Sequence, residues 1–142
     1  LKFNAVEIDA LDQHQSVQDI LSLSYAMQDL SDRIHWLAIL RAPWCGITLN
    51  DLALLFQDDH VSTVWEIIHD DKKMDLISND GKRRIQRIVG ILEEAFQHQN
   101  KTHIRRLIES VWMNLGGELC LYSPNDMVDI NKFFNIVSVF IL

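Results

Sequence analysis

Apolar residues recur at helical spacing along most of the chain, and polar stretches separate the runs. From Ser16 to Leu30, the residues Val17, Ile20, Leu21, Met27 and Leu30 approximate one face, with Leu23 and Tyr25 on its flank, which predicts a first helix. Ser31 then offers a hydroxyl to a free backbone N–H, and so reads as the N-cap of a second helix. Ile34, Leu37 and Leu40, with Trp36, give that helix a core stripe, and Pro43 ends it at about Arg41. Short helices follow over Leu49–Phe56 and over Val61–His69, the latter capped by Ser62 or Thr63. Asp70 to Asp75 reads as a charged connection, and Ser78-Asn79-Asp80-Gly81 as a turn with several possible caps.

The strongest pattern spans Lys82–Gln99, where Ile85, Ile88, Val89, Leu92 and Phe96 keep close to the amphipathic rule. Gly90 inside it costs roughly 1 kcal/mol against Ala without breaking the helix. A further helix is expected from Thr102 to Leu115, with Ile104, Leu107, Ile108, Val111, Trp112 and Leu115 as its stripe and Gly116-Gly117 as its stop. Ser123-Pro124-Asn125-Asp126 signals the start of a last helix, which runs from Pro124 to Phe134 or beyond. Residues 1–15 read as an entry segment, within which Phe3 to Ile8 alternates enough for a short strand. The expected fold class is all-α, one compact bundle of six or seven helices with short connections.

The corner between the second and third helices organises the rest. Gly46 can adopt a backbone geometry closed to other residues. Thr48 with Asp51 resembles a capping box, with Asp in the usual Glu place. Trp44 and Ile47 are large, so the corner needs packing partners and acts as a hub.

The same stretch carries a resemblance. Leu40-Arg41-Ala42-Pro43-Trp44-Cys45-Gly46-Ile47-Thr48-Leu49-Asn50-Asp51-Leu52 resembles the LR-[AS]-P-x-x-G-[LI]-x-x-x-D-L segment of UvrD/RecB-like superfamily one DNA helicases, nearest to the bacterial ATP-dependent exonuclease beta-subunit-like group. Ile108-Glu109-Ser110-Val111-Trp112-Met113-Asn114-Leu115-Gly116-Gly117 is similar to a [VI]-E-x-x-W-x-x-L-G-G stretch of the same group. The two pieces keep the expected order, and neither is catalytic. The resemblance implies the helical insertion of the second motor domain, often called the 2B subdomain. It implies a parent that couples ATP hydrolysis, with magnesium, to DNA strand separation in repair and recombination. DNA and the remaining motor domains would then be its partners. The start at Leu1 and the apolar run from Ile136 to Leu142 agree with an excised, monomeric piece of such a parent.

Charge changes this picture. The formal net charge is −7, whereas a stand-alone nucleic-acid binder is usually basic. Any DNA contact therefore has to be local. Lys82, Arg83, Arg84 and Arg87, with Arg105 and Arg106, form the best phosphate-contact candidates, and a solvated helix face is the plainer reading of the same residues. Arg41 could reach DNA too, although anchoring the corner through backbone carbonyls suits it better. Basic residues near a helix start oppose the macrodipole, so something else must favour Lys82, Arg83, Arg84 and Arg87 there. An all-α protein-interaction module without a nucleic-acid role is the alternative.

Other chemistry is sparse. There is no P-loop, dinucleotide fingerprint or nucleophile elbow, so no catalytic residue, cofactor or metal is assigned within the chain. Asp58-Asp59-His60 and His69-Asp70-Asp71 lack a recognised ligand spacing and read as solvated helix ends, and His98 and His103 as surface residues flanking a turn. His35 reads as a satisfied, half-buried histidine. Trp36, Trp44, Trp65 and Trp112 could stack on bases but fit core positions better. Cys45 and Cys120 form no paired motif, which suits free thiols in a cytoplasmic setting. No apolar run is long enough to span a bilayer.

Overall fold

Helix α1 (Gln15–Gln28) is the element on which the helices Arg33–Arg41, Ile104–Leu115 and Asp126–Phe140 all pack. The computed structural model describes residues 14–99 and 103–140. It is all-α, with eight helices and no strand among the described residues, slightly above the expected count. Because α1 is covered from several sides, its buried surface is wider than one stripe. Leu23, expected on the flank, is fully buried with Val17, Ile20 and Ala26. Leu30 falls beyond the helix end and is 41% exposed, so it is not part of that stripe.

Helix α2 (Arg33–Arg41) corrects two expectations. Its N-cap is Asp32, not Ser31: the Asp32 carboxylate accepts from the backbone N–H of His35 at 3.2 Å and faces His35 Nδ1 at 2.6 Å. A carboxylate there also meets the positive end of the helix dipole. Ser31 instead donates to Asp29 through its backbone N–H and its hydroxyl. Ile34 points outward at 78% exposure, because the helix turns Trp36, Ile39 and Leu40 into the core. The indole of Trp36 sets that rotation, donating from Nε1 to the Asp29 carbonyl at 3.1 Å.

The middle of the chain is a set of short helices: α3 (Leu49–Phe56), α4 (Val64–Ile68) and α5 (Asp71–Met74). Helix α4 starts later than the apolar pattern suggested. Thr63 and Glu66 form a reciprocal capping box at that later start, and Val61 is left outside it and exposed. The charged connection after His69 is itself a helical turn, capped by Asp70, which buries Met74. Arg33, which the sequence did not single out, organises the loop between α3 and α4. Its guanidinium donates to the carbonyls of Phe56, Asp59 and Ser62 and lies over the Phe56 ring. Lys73 pairs with Asp59 at 2.8 Å, which holds that carboxyl well below its usual range, helped by donors from Ser62 and Val61.

Helix α6 (Asn79–Gln97) begins three residues before the expected start, with Ser78 as cap and Asp80 in the first turn. The basic residues thus sit past the opening turn, with an acid ahead of them, and the conflict with the helix dipole largely disappears. Helix α7 (Ile104–Leu115) runs back along α6 and stops at Gly116, whose φ of 87° is left-handed. A single 3-10 turn (Glu118–Cys120) leads to α8 (Asp126–Phe140). Pro124 stays outside α8. Asp126, buried at its start, accepts from the backbone N–H groups of Tyr122 and Ser123 and from the Ser123 hydroxyl. The entry segment up to residue 13, its Phe3–Ile8 strand and the Thr102 helix start lie outside the described residues.

One apolar cluster joins these elements. Trp36, Trp112 and Phe133 are among its largest fully buried side chains. Trp112 meets Phe134 edge-on, and its indole lies directly over Gly117, where a Cβ has no room.

Candidate nucleic-acid interface

The corner from Ala42 to Ile47 is built by hydrogen bonds before any ligand is considered. Gly46 takes φ 65°, its N–H donates to the Ala42 carbonyl at 2.7 Å, and Ile47 N–H donates to Leu40 at 3.0 Å. Trp44 Nε1 donates to the Ile39 carbonyl at 3.1 Å, which folds the indole back under α2. Thr48 caps α3 by accepting from Asp51 N–H. The second half of the expected capping box does not form. The Asp51 carboxylate turns away to accept from the backbone N–H and hydroxyl of Ser78, at 3.1 and 2.7 Å. Asp51 is only 3% exposed and lies against Gly81, so a side chain at position 81 would displace it. The starts of α3 and α6 are thereby tied together.

The seven basic candidates divide by what they hold. Arg41 donates to the Ile47 carbonyl at 2.8 Å, which is the corner-anchoring role. Arg84 pairs with Asp80 and donates to the Cys45 carbonyl at 2.9 Å. Arg87 donates to the Trp44 carbonyl at 3.1 Å and to Asn114 and Leu115 at 3.2 and 2.7 Å. It therefore fills two needs at once, since the last carbonyls of α7 have no partner within the helix. Lys82 pairs with Asp75, and Arg105 with Glu109 and the Phe134 ring. Arg83 makes only a 3.5 Å ion pair with Asp80 and its side chain is 75% exposed. Arg106 is exposed and makes no ion pair or hydrogen bond among the described residues.

The seven do not form one patch. Arg87 fixes the register of the α6–α7 pair by touching Asn114 and Leu115. From the rise of a helix, Arg106 then stands roughly 18 Å along the axis from Arg83. Two separate cationic points result, one at each end of the pair.

Three charge-assisted contacts at an exposed side chain, discounted for solvent, put the cost of Arg87→Met at about 2 kcal/mol. Urea unfolding measures it, and a loss below about 0.5 kcal/mol, the range of an ordinary surface change, would show that the clamp is idle.

The remaining sequence candidates are structural. Trp36, Trp44 and Trp112 are buried in the core. Trp65 is half-buried and packs on Trp36, His69 and Phe96. Burial pushes the Cys45 thiol up to about 12, so it is a packed thiol rather than a nucleophile. Cys45 and Cys120 are both free. His69 bridges the Trp65 carbonyl and Glu93, at 2.6 and 2.7 Å, rather than joining its neighbouring aspartates. Among the described residues, His14, Asp126 and Asp129 form the one group with metal-ligand atoms close together. Asp126 already accepts three hydrogen bonds there, and a cation would face the positive end of α8.

Comparison with protein-family models, with curated proteins and with solved structures finds no match to this chain. No helix among the described residues is long and apolar enough to cross a membrane.

Proposed function

We propose that this chain is the helical accessory region of a UvrD/RecB-like superfamily one DNA helicase or helicase–nuclease, orienting DNA or restraining the motor. One observation carries the reading. The two stretches that resemble that family, Leu40–Leu52 and Ile108–Gly117, are far apart in sequence, yet Arg87 bridges the Trp44 carbonyl of the first and the Asn114 and Leu115 carbonyls of the second. Trp44, Trp112 and Gly117 also line one small cavity, so the pieces form a single structural unit. ATP and magnesium would bind in the parent's motor domains, because this chain carries no P-loop. A unit held this rigidly suits a lever or spacer against which a motor domain works. Direct DNA contact falls to Arg83 and Arg106, the two least engaged of the seven candidates.

Fluorescence anisotropy with a duplex bearing a single-stranded tail tests that contact. Binding should weaken steeply with salt. The double variant Arg83→Glu, Arg106→Glu should weaken it at least tenfold without changing the melting temperature. No binding in low salt, or binding indifferent to the double variant, would remove DNA contact and leave only the lever.

The acidic balance and one surface feature favour the second reading, an all-α protein-interaction module. Met27, Leu30, Trp65 and Phe96 line an open groove of about 550 Å³. In that reading the chain binds no DNA at any salt concentration.

A further inference from the structure

A cleft of about 480 Å³ lies between α1, the corner and the loop before α8. Its lining brings together Gln15, Asp19, Ser22, Arg41, Pro43 and Tyr122. Asp19 is unusual among these. It is only 9% exposed and its carboxylate accepts from Gln15 Nε2 at 2.7 Å, but no lysine, arginine or histidine stands within ion-pair distance among the described residues. Burial raises its pKa despite the Gln15 hydrogen bond. A buried acid with a raised pKa costs stability once it ionises, and that cost is present at neutral pH. On the other side of Asp19, Ser16 is buried and its hydroxyl has no hydrogen-bond partner among the described residues. This end of α1 is thus under-satisfied in two adjacent places, which is common at binding sites and costly elsewhere.

The other groups define what the cleft could hold. Tyr122 is 63% exposed, so its ring offers a free face. Burial, and then the charge of Asp19, hold its phenol above the usual range, which places the two side chains in one electrostatic neighbourhood. Arg41 keeps one nitrogen on the Ile47 carbonyl, and its exposed guanidinium carries the remaining donors. A carboxylate has about four acceptor positions, so Asp19 can take two further donors beside Gln15.

A ligand that meets all four groups needs two adjacent donors, an acceptor, a flat aromatic body and an anion. Among nucleobases, only guanine presents two neighbouring N–H donors on its pairing edge with a carbonyl beside them. Adenine and cytosine turn an acceptor toward the same carboxylate. Thymine has a single donor between two carbonyls. We infer that this cleft binds one unpaired guanine nucleotide, with the base edge on Asp19, the base face on Tyr122, the carbonyl O6 toward Ser22 or Gln15, and the phosphate toward Arg41. The inference does not rest on the helicase reading, because a free mononucleotide makes the same contacts as an unpaired base within a strand.

Isothermal titration of the whole chain with guanosine monophosphate tests this, with adenosine and cytidine monophosphates as controls. Guanosine monophosphate should bind at least tenfold more tightly than either control. Asp19→Asn should lose that binding at least tenfold, because the amide sets an NH2 donor against one of the two base donors, while the melting temperature at pH 7 stays the same or rises. Tyr122→Leu, at an exposed position, should weaken all three nucleotides together. A thymidine decamer carrying one guanine separates the two sources. Tighter binding than the mononucleotide identifies a strand as the ligand, and equal or weaker binding identifies the free nucleotide. Equal affinity for all three monophosphates, absence of binding, or an Asp19→Asn variant that melts lower and still binds would overturn the inference.

Discussion

Trp36→Ala should cost about 4 kcal/mol, the largest loss expected from any single truncation here. Trp36 is fully buried, packs at a tilt against Trp65 with ring centroids 5.4 Å apart, and spends its only polar group on the Asp29 carbonyl. Truncation empties the space between α2 and α4 and also orphans that carbonyl at the turn between α1 and α2. Against a domain stability of roughly 5–15 kcal/mol, the ratio of folded to unfolded chains falls about a thousandfold. Urea unfolding followed by circular dichroism gives the number. A cost below about 1.5 kcal/mol would mean that α1, α2 and α4 do not meet around this ring.

Gly117→Ala should be nearly as damaging, at about 3 kcal/mol, although it adds one methyl group. The backbone at Gly117 is right-handed helical, with φ −56° and ψ −40°, so the strain is not conformational. A Cβ at this position would overlap three atoms of the Trp112 indole. Trp112 cannot retreat, because it is 2% exposed and backed by Phe134. The melting temperature should drop by about 10 °C. Gly90→Ala is the control: it lies inside α6 with nothing near its Cβ position, so it should stabilise by up to about 1 kcal/mol. A Gly117→Ala protein that melts like the parent chain would show that the indole does not lie where α7 places it.

The sequence carried the helix inventory well wherever a stripe of apolar residues was long. In α6 and α7 the stripe residues Ile85, Ile88, Leu92, Leu107, Ile108 and Val111 are all buried. It carried the short elements poorly. A four-residue helix such as α5 has no room for a period, and its charged residues look like a loop. Caps were misplaced where two capping residues stand side by side, as at Ser31 and Asp32, because geometry alone chooses between them. Ile34 was misassigned because the rotation of α2 is set by one indole rather than by its smaller aliphatic residues.

The site was less legible than the fold. Arg84 and Arg87 look in sequence like members of a phosphate-binding stripe. Their carbonyl partners, Cys45, Trp44, Asn114 and Leu115, are distant in sequence and are main-chain atoms, so no side-chain pattern announces them. Arg33 was missed for the same reason. Asp51 reads in sequence as closing a local capping box, and its carboxylate instead accepts from Ser78, a partner 27 residues away that no local spacing announces. Asp19 gave no signal at all, since one acid on an amphipathic helix is ordinary until its burial is known.

The most direct test of the helicase reading is the sequence of the reading frame on both sides of this chain. The proposal expects a Gly-x-x-x-x-Gly-Lys-[Ser/Thr] loop upstream and further motor motifs downstream in the same frame. Stop codons that close the frame around these residues, with no motor on either side, would contradict it.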